Sequence, residues 1–146
     1  MSRYHQGKYT PINPKKYLGD PTNIVYRSSW ERTFFRKCDL SNKIIAWSSE
    51  EIIIPYTDMT TGGIRRYFPD VFIAIKNSEG EVVKLLLEIK PEKEKHVPKK
   101  QGKKKGRQLY ETKTYIKNQC KWNAAKAYCD KRGWLFKVIT EKDGLF

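Results

Sequence analysis

At 146 residues, with 38% hydrophobic and 13% aromatic composition, the chain is long enough to bury the core of one domain. Its 30 Lys and Arg against 16 Asp and Glu leave a net charge of +14, which points to a polyanion, nucleic acid before anionic membrane, since no stretch joins a basic face to a long apolar one. The apolar runs "IIIP" and "KLLLEIK" are too short to span a bilayer, the N-terminal stretch lacks the apolar core of a signal peptide, and three cysteines without a CxxC pair speak against a disulfide framework, so a reduced, cytosolic protein is expected.

Residues 1–22 carry Gly7, Pro11, Pro14, Gly19 and Pro21 without periodicity, the pattern of a basic extended arm ahead of a domain over 23–146. Tyr4, Tyr9 and Tyr17 in that arm could stack on bases or dock on protein. "YRSSWERTFFRKCDL" predicts a helix, with Ser28 and Glu31 spaced as a capping box and Trp30, Phe34, Phe35 and Cys38 on its apolar face. "KIIAWSSEEIIIPY" predicts one or two short strands, divided near Ser48-Ser49 and ended by Pro55. "TDMTTGGIRR" reads as a turn-rich linker into a β-hairpin, "YFPDVFIAIKNSEGEVVKLLLEIKP". The basic stretch at about 92–108, "EKEKHVPKKQGKKKGRQ", has little that could pack and reads as a mobile loop. Its Lys99, Lys100, Lys103, Lys104, Lys105 and Arg107 are candidates to neutralise DNA phosphates without reading sequence. A helix follows from about Tyr110 to Arg132, with Tyr115, Trp122, Ala125 and Cys129 near one face and Gly133 as its stop; residues 134–140 make a last strand. The four tryptophans are expected in the core. The order of elements is that of a mixed α/β domain with one central sheet.

The hairpin raises a chemical question. A three-residue loop with Gly80 in the left-handed conformation sets Asn77 opposite Glu81 and, counting outward, Ala74 opposite Lys84, Phe72 opposite Leu86 and Asp70 opposite Glu88. Alternation puts Lys90 on the face of Glu88. Facing carboxylates repel, and a divalent cation would reverse the sign of that interaction. Magnesium suits hard oxygen ligands and often takes only one or two carboxylates. A nearby lysine could then serve an attacking water, the chemistry of phosphodiester hydrolysis. The same charges also fit a solvated strand end, and a slip of one residue would send Asp70 to the other face.

Pro69-Asp70, the hairpin and then Glu88-Ile89-Lys90 resemble the PD-(D/E)XK nuclease signature. That resemblance implies a restriction-endonuclease-like αβββαβ core and a Mg2+-dependent endonuclease, with Mn2+ as substitute. It further implies Asp70, Glu88 and the Ile89 backbone carbonyl as metal ligands and Lys90 as the catalytic lysine. Glu31 fits the glutamate that many members place on the first helix near the metals, as in the similar catalytic domain of the Tn7-type transposon endonuclease; the capping box alone also explains it. Gln119 and Lys121 are further counterparts that the surrounding "NQCKWN" does not support. Nearly the whole chain resembles the head-completion proteins of T-even-type tailed bacteriophages. This implies DNA as substrate, phage portal or neck proteins as partners, and a place in the host cytoplasm or the virion. The alternatives are a non-catalytic DNA-binding or structural head protein on the same scaffold, and a nuclease of transposition, junction resolution or restriction.

Overall fold

The computed structural model describes residues 6–99 and 102–145, so Tyr4 and Lys100 lie outside the described residues. Its regular elements are β1 (Gly7–Lys8), β2 (Val25–Tyr26), α1 (Ser29–Leu40), β3 (Ile44–Ser49), β4 (Ile54–Asp58), β5 (Gly63–Tyr67), β6 (Val71–Lys76), β7 (Val82–Ile89), α2 (Lys105–Asp130) and β8 (Leu135–Ile139). Four strands form the central sheet in the order β3-β6-β7-β8. The first three pair antiparallel and β7 pairs parallel with β8, the parallel connection being made by α2. This is the mixed α/β core expected from the sequence, with a helix on each face of one sheet.

The period of two along β6 and β7 divides the core. Val71, Ile73, Leu85 and Leu87 point to one side, where Phe34, Phe35 and Cys38 of α1 pack around the fully buried Trp47. Phe72, Ala74 and Leu86 point to the other and meet Trp122, Ala125 and Cys129 of α2. With Asn118, these α2 residues recur at helical spacing and form the buried stripe. Each large apolar side chain buried on either face contributes roughly 1.5–3 kcal/mol. α2 ends as Gly133 suggests: Gly133 takes φ +70 and the Trp134 N–H donates back to the Cys129 carbonyl at 2.9 Å. Trp30 and Trp134, expected in the core, are only half-buried. All three cysteines are free, and among the described residues no helix is long and apolar enough to cross a membrane.

Several local expectations are corrected. The "linker" contains β5, which pairs with β4 as a separate two-stranded ribbon: Ile54 faces Tyr67 and Asp58 faces Gly63. Pro55 lies inside β4 rather than ending a strand, which a ribbon tolerates because its strands have a free edge. The ribbon is held from outside itself, by Ile54 and Tyr56 in the α2 core and by Asp58, which lies 3.6 Å from both Arg65 and Lys117 of α2. The basic loop is shorter than expected, since α2 begins at Lys105 and includes Arg107. At α1, Ser28 accepts the Glu31 N–H at 3.1 Å, but the Glu31 carboxylate accepts from the Arg27 N–H, so the reciprocal half of the capping box is displaced by one residue.

Residues 7–24 are firmly seated on the core. Tyr17 is buried against Trp47 at a ring separation of 4.8 Å, and Tyr9 meets both Phe35 and Trp47 edge-on. These two tyrosines are therefore part of the core. The Asp39 carboxylate fixes the segment, accepting from the Tyr9 hydroxyl at 2.8 Å and from the Ile12 and Asn13 N–H groups at 2.7 and 2.9 Å.

Candidate active site

The turn places the carboxylates. The Asn77 N–H donates to the Glu81 carbonyl at 2.9 Å, the Asn77 side-chain oxygen accepts from the Glu79 and Glu81 N–H groups, and Gly80 takes φ +80. This closure yields the expected register, Ala74 with Lys84, Phe72 with Leu86 and Val71 with Leu87. One step beyond the ladder, Asp70 faces Glu88, and its Oδ2 accepts the Ile89 N–H at 2.7 Å. The Asp70 carbonyl accepts from Glu50, a non-glycine residue held at φ +54 where β3 ends.

The surroundings make this a high-energy pair. Burial, and then the facing Glu88 carboxylate, push the Asp70 carboxyl well above its ordinary value; Glu31 adds to this and the Ile89 N–H opposes it. Glu88 is 5% exposed, while Asp70 keeps partial access. The Tyr67 hydroxyl is buried with no hydrogen bond, and burial followed by the charges of Glu88 and Asp70 raises it. Burial also raises the Glu31 carboxyl, with Glu50 and Glu88 contributing and the Arg27 N–H opposing. Glu31 is therefore near enough to sense the pair, yet among the described residues no three acidic, His or Cys side chains converge as a metal cluster. The convergent donors are the two carboxylates of Asp70 and Glu88, a hard-oxygen set of the size magnesium commonly takes from a protein.

Two lysines approach from different directions. Lys90 is half-buried at the end of β7, and its N–H donates to the Ile139 carbonyl at 3.0 Å. Beyond it, Glu92 is clamped to the last strand's exit: its N–H donates to Glu141 at 2.7 Å and the Thr140 hydroxyl donates to its carboxylate at 2.9 Å. Lys121 comes from α2, lies over the Tyr67 ring, and is lowered by burial and then by Lys90, against the pull of Glu88 and Asp70. Lys121 thus stands beside the carboxylates. Gln119, two residues earlier, is turned about 200° around the helix and cannot share its direction. Lys121, Tyr67 and Glu50 are the neighbours that sequence reasoning did not assign; for Lys121 its place on the helix after the hairpin was the available signal.

The candidate phosphate-binding cations divide. Lys99, Lys104 and Lys105 are exposed, whereas Lys103 and Arg107 both pair with Glu111. A large cleft of about 1520 Å³ runs beside Glu31, Ile89 and Lys90 toward these residues.

Residues 41–141, which include Asp70, Glu88 and Lys90 but not Glu31, match the family described as TnsA-like endonuclease N terminal. The head completion nuclease of Enterobacteria phage T4 is 43% identical over 145 residues, covering 97% of this chain and 93% of that protein. No solved structure matches the chain. With the mixed sheet, the hairpin register and both similarities in agreement, this chain belongs to the TnsA-like endonuclease family.

Proposed function

We propose that the chain is a metal-dependent DNA endonuclease with little sequence preference, acting in phage head completion. The observation that carries the chemistry is the pair of facing, largely enclosed carboxylates, with Lys90 two residues beyond Glu88 and Lys121 close enough to feel both charges. Asp70 and Glu88, with the Ile89 carbonyl, would hold Mg2+, or Mn2+ in its place, and Glu31 would bias the site from α1. A cation bound there supplies positive charge to the phosphate and makes its bound water more acidic. Lys90, pinned through its backbone, orients the attacking water and offsets charge building on the phosphate. Lys121 is closer than a solvated lysine to the range where an amine accepts a proton. Exposed Lys99, Lys104 and Lys105 neutralise backbone phosphates, a contact that carries no sequence information, and Lys100, Lys103 and Arg107 belong to the same basic stretch.

The place in head completion rests on the similarity to the phage T4 nuclease. In this reading the protein works during assembly in the host cell, with portal or neck proteins as its docking partners. The test is incubation of supercoiled plasmid and single-stranded DNA with purified protein, Mg2+ or Mn2+, beside Asp70→Ala and Glu88→Ala. Cutting by the wild type alone is expected. Clean wild-type protein that cuts neither substrate with either metal overturns the enzymatic reading and leaves a non-catalytic DNA-binding role.

A further inference from the structure

The β4–β5 ribbon runs into the carboxylate pair without belonging to the central sheet. Tyr67 ends β5, and only Phe68 and Pro69 separate it from Asp70. β5 pairs with β4 along one edge and with no other strand along the other. The pairing sorts the ribbon's faces. Ile54, Tyr56 and Asp58 share a face with Tyr67, Arg65 and Gly63, and this face turns to α2. Pro55 and Thr57 share the other with Arg66 and Ile64, and all four are exposed, Ile64 at 81%.

A concavity of about 430 Å³ opens beside β5, lined by Tyr56, Ile64, Arg65, Arg66, Phe68 and Lys121. Half of these residues are cations and none is a carboxylate. Asp58, the acidic residue of the ribbon, is fully buried and already lies 3.6 Å from both Arg65 and Lys117. Arg66 and Lys121 make no salt bridge among the described residues; each lies 5.8 Å from a ring centre, Arg66 over Phe68 and Lys121 over Tyr67. A small anion would satisfy the cations and leave Ile64 and Phe68 bare. A second copy of the chain, at +14, would bring like charges together. DNA offers phosphates to the cations and a groove to the ribbon, since the major groove, about 12 Å wide, admits two β-strands. α2 also carries Lys105 and Lys121 about 24 Å apart along its axis, at roughly 1.5 Å per residue, so the basic stretch and the ribbon can hold one duplex at separate points.

We infer that the β4–β5 ribbon is a second DNA-contacting element, laid in a groove of the duplex beside the phosphate to be cut, with Arg66 on a backbone phosphate. This rests on the nuclease reading and adds to it a surface separate from the basic stretch. Lys121 joins the two, lining the concavity while it lies over the ring of Tyr67. Ile64 and Thr57, which face each other across the ribbon, cannot make the bidentate base contacts of arginine, asparagine or glutamine. The ribbon therefore grips without selecting a sequence.

The experiment uses the full chain in EDTA with a fluorescent DNA duplex as probe, and circular dichroism to show that each variant is folded. Arg66→Ala should lower the slope of log K against log [salt] by about 0.9, one phosphate contact, and Arg66→Lys should restore it. Ile64→Glu should weaken binding of every duplex sequence. Val82→Glu, the same change at an exposed position by the hairpin turn, should not. The losses should persist when Lys99, Lys104 and Lys105 are replaced as well. Unchanged affinity and slope in folded Arg66→Ala and Ile64→Glu overturn the inference and leave this face to a protein partner. Equal losses from Ile64→Glu and Val82→Glu overturn the groove contact, and a wild type that binds no duplex overturns the whole. Plasmid cutting in Mg2+ separates this from the parent reading. Cutting by a wild type whose binding ignores the ribbon removes the ribbon assignment alone. Ribbon-dependent binding without any cutting removes the nuclease and keeps the ribbon.

Discussion

Asp70→Asn should make the protein more stable and inactive at once. The substitution keeps the shape of the side chain and an oxygen able to accept the Ile89 N–H, which now donates to Oδ2 at 2.7 Å. What it removes is a carboxyl raised by burial and by the facing Glu88. Two unit charges about 4 Å apart repel by about 4 kcal/mol at an effective dielectric near 20. An amide buried in place of a carboxyl gives part of this back. A net gain of about 1–2 kcal/mol is the reasonable remainder, within the range usual for relieving functional-site strain. For a chain of this length that is a rise in Tm of about 3–6 °C. The sign also fixes a pH dependence. A carboxyl raised in the folded state favours folding below its unfolded pKa and loses that contribution as pH rises through the folded value, so the variant's advantage should grow upward from about pH 4. Scanning calorimetry in EDTA across this pH range measures it, with plasmid nicking in Mg2+ as the activity readout. Added Mg2+ should raise the Tm of the wild type and not of the variant. A folded variant that is less stable than the wild type in EDTA at pH 7 would refute the reasoning, since Asp70 would then be a structural ligand of Ile89 rather than a strained partner of Glu88.

Asp39→Ala leaves the Tyr9 hydroxyl and the Ile12 and Asn13 N–H groups without their acceptor and should cost about 3–5 kcal/mol, with faster amide exchange at residues 12 and 13. Burial alone would raise the Asp39 carboxyl, but those three donors outweigh it and hold it below its ordinary value. Its contribution is thus present above the unfolded pKa and is lost as pH falls through the folded one, so wild type and Asp39→Asn should converge in urea titrations below about pH 4. Replacing Lys99, Lys104 and Lys105 with alanine should weaken DNA binding and lower the slope of log K against log [salt] by about 0.9 per lost phosphate contact; an unchanged slope would make them bystanders. Gly80→Ala has open space for its methyl group but a backbone at φ +80, so a loss of roughly 1–2 kcal/mol with cutting intact is expected from denaturant titration.

The legible parts of this fold are those governed by neighbours in sequence. Gly80 and Asn77 fix the turn, the turn fixes the register, and the register sets Asp70 against Glu88; each link spans a few residues or one hairpin. The β4–β5 ribbon escaped because Pro55 and Gly62-Gly63 are local breakers, and what overrides them is packing on α2, about sixty residues later. The seating of residues 7–24 escaped for the same reason: the prolines show where regular structure is interrupted, but the contacts with Asp39 and Trp47 are a long-range property. The start of α2 is not legible because its first turn, Lys105, Gly106, Arg107 and Gln108, has no buried residue to give a period. At the site, the residues flanking Lys121 do not single it out, since its place is set by its approach to Glu88 across the fold.

The clamp around Glu92 bears on when the proposed site is complete. Asp70 and Glu88 lie within one hairpin and leave the ribosome close together, but the Lys90 N–H waits for Ile139 and Glu92 waits for Thr140 and Glu141. A nascent chain that ends before β8 holds both carboxylates without a fixed lysine or the sheet edge that supports it. With Lys90 in the role proposed above, competence to cut is tied to finishing translation of the domain, a built-in delay that needs no inhibitor.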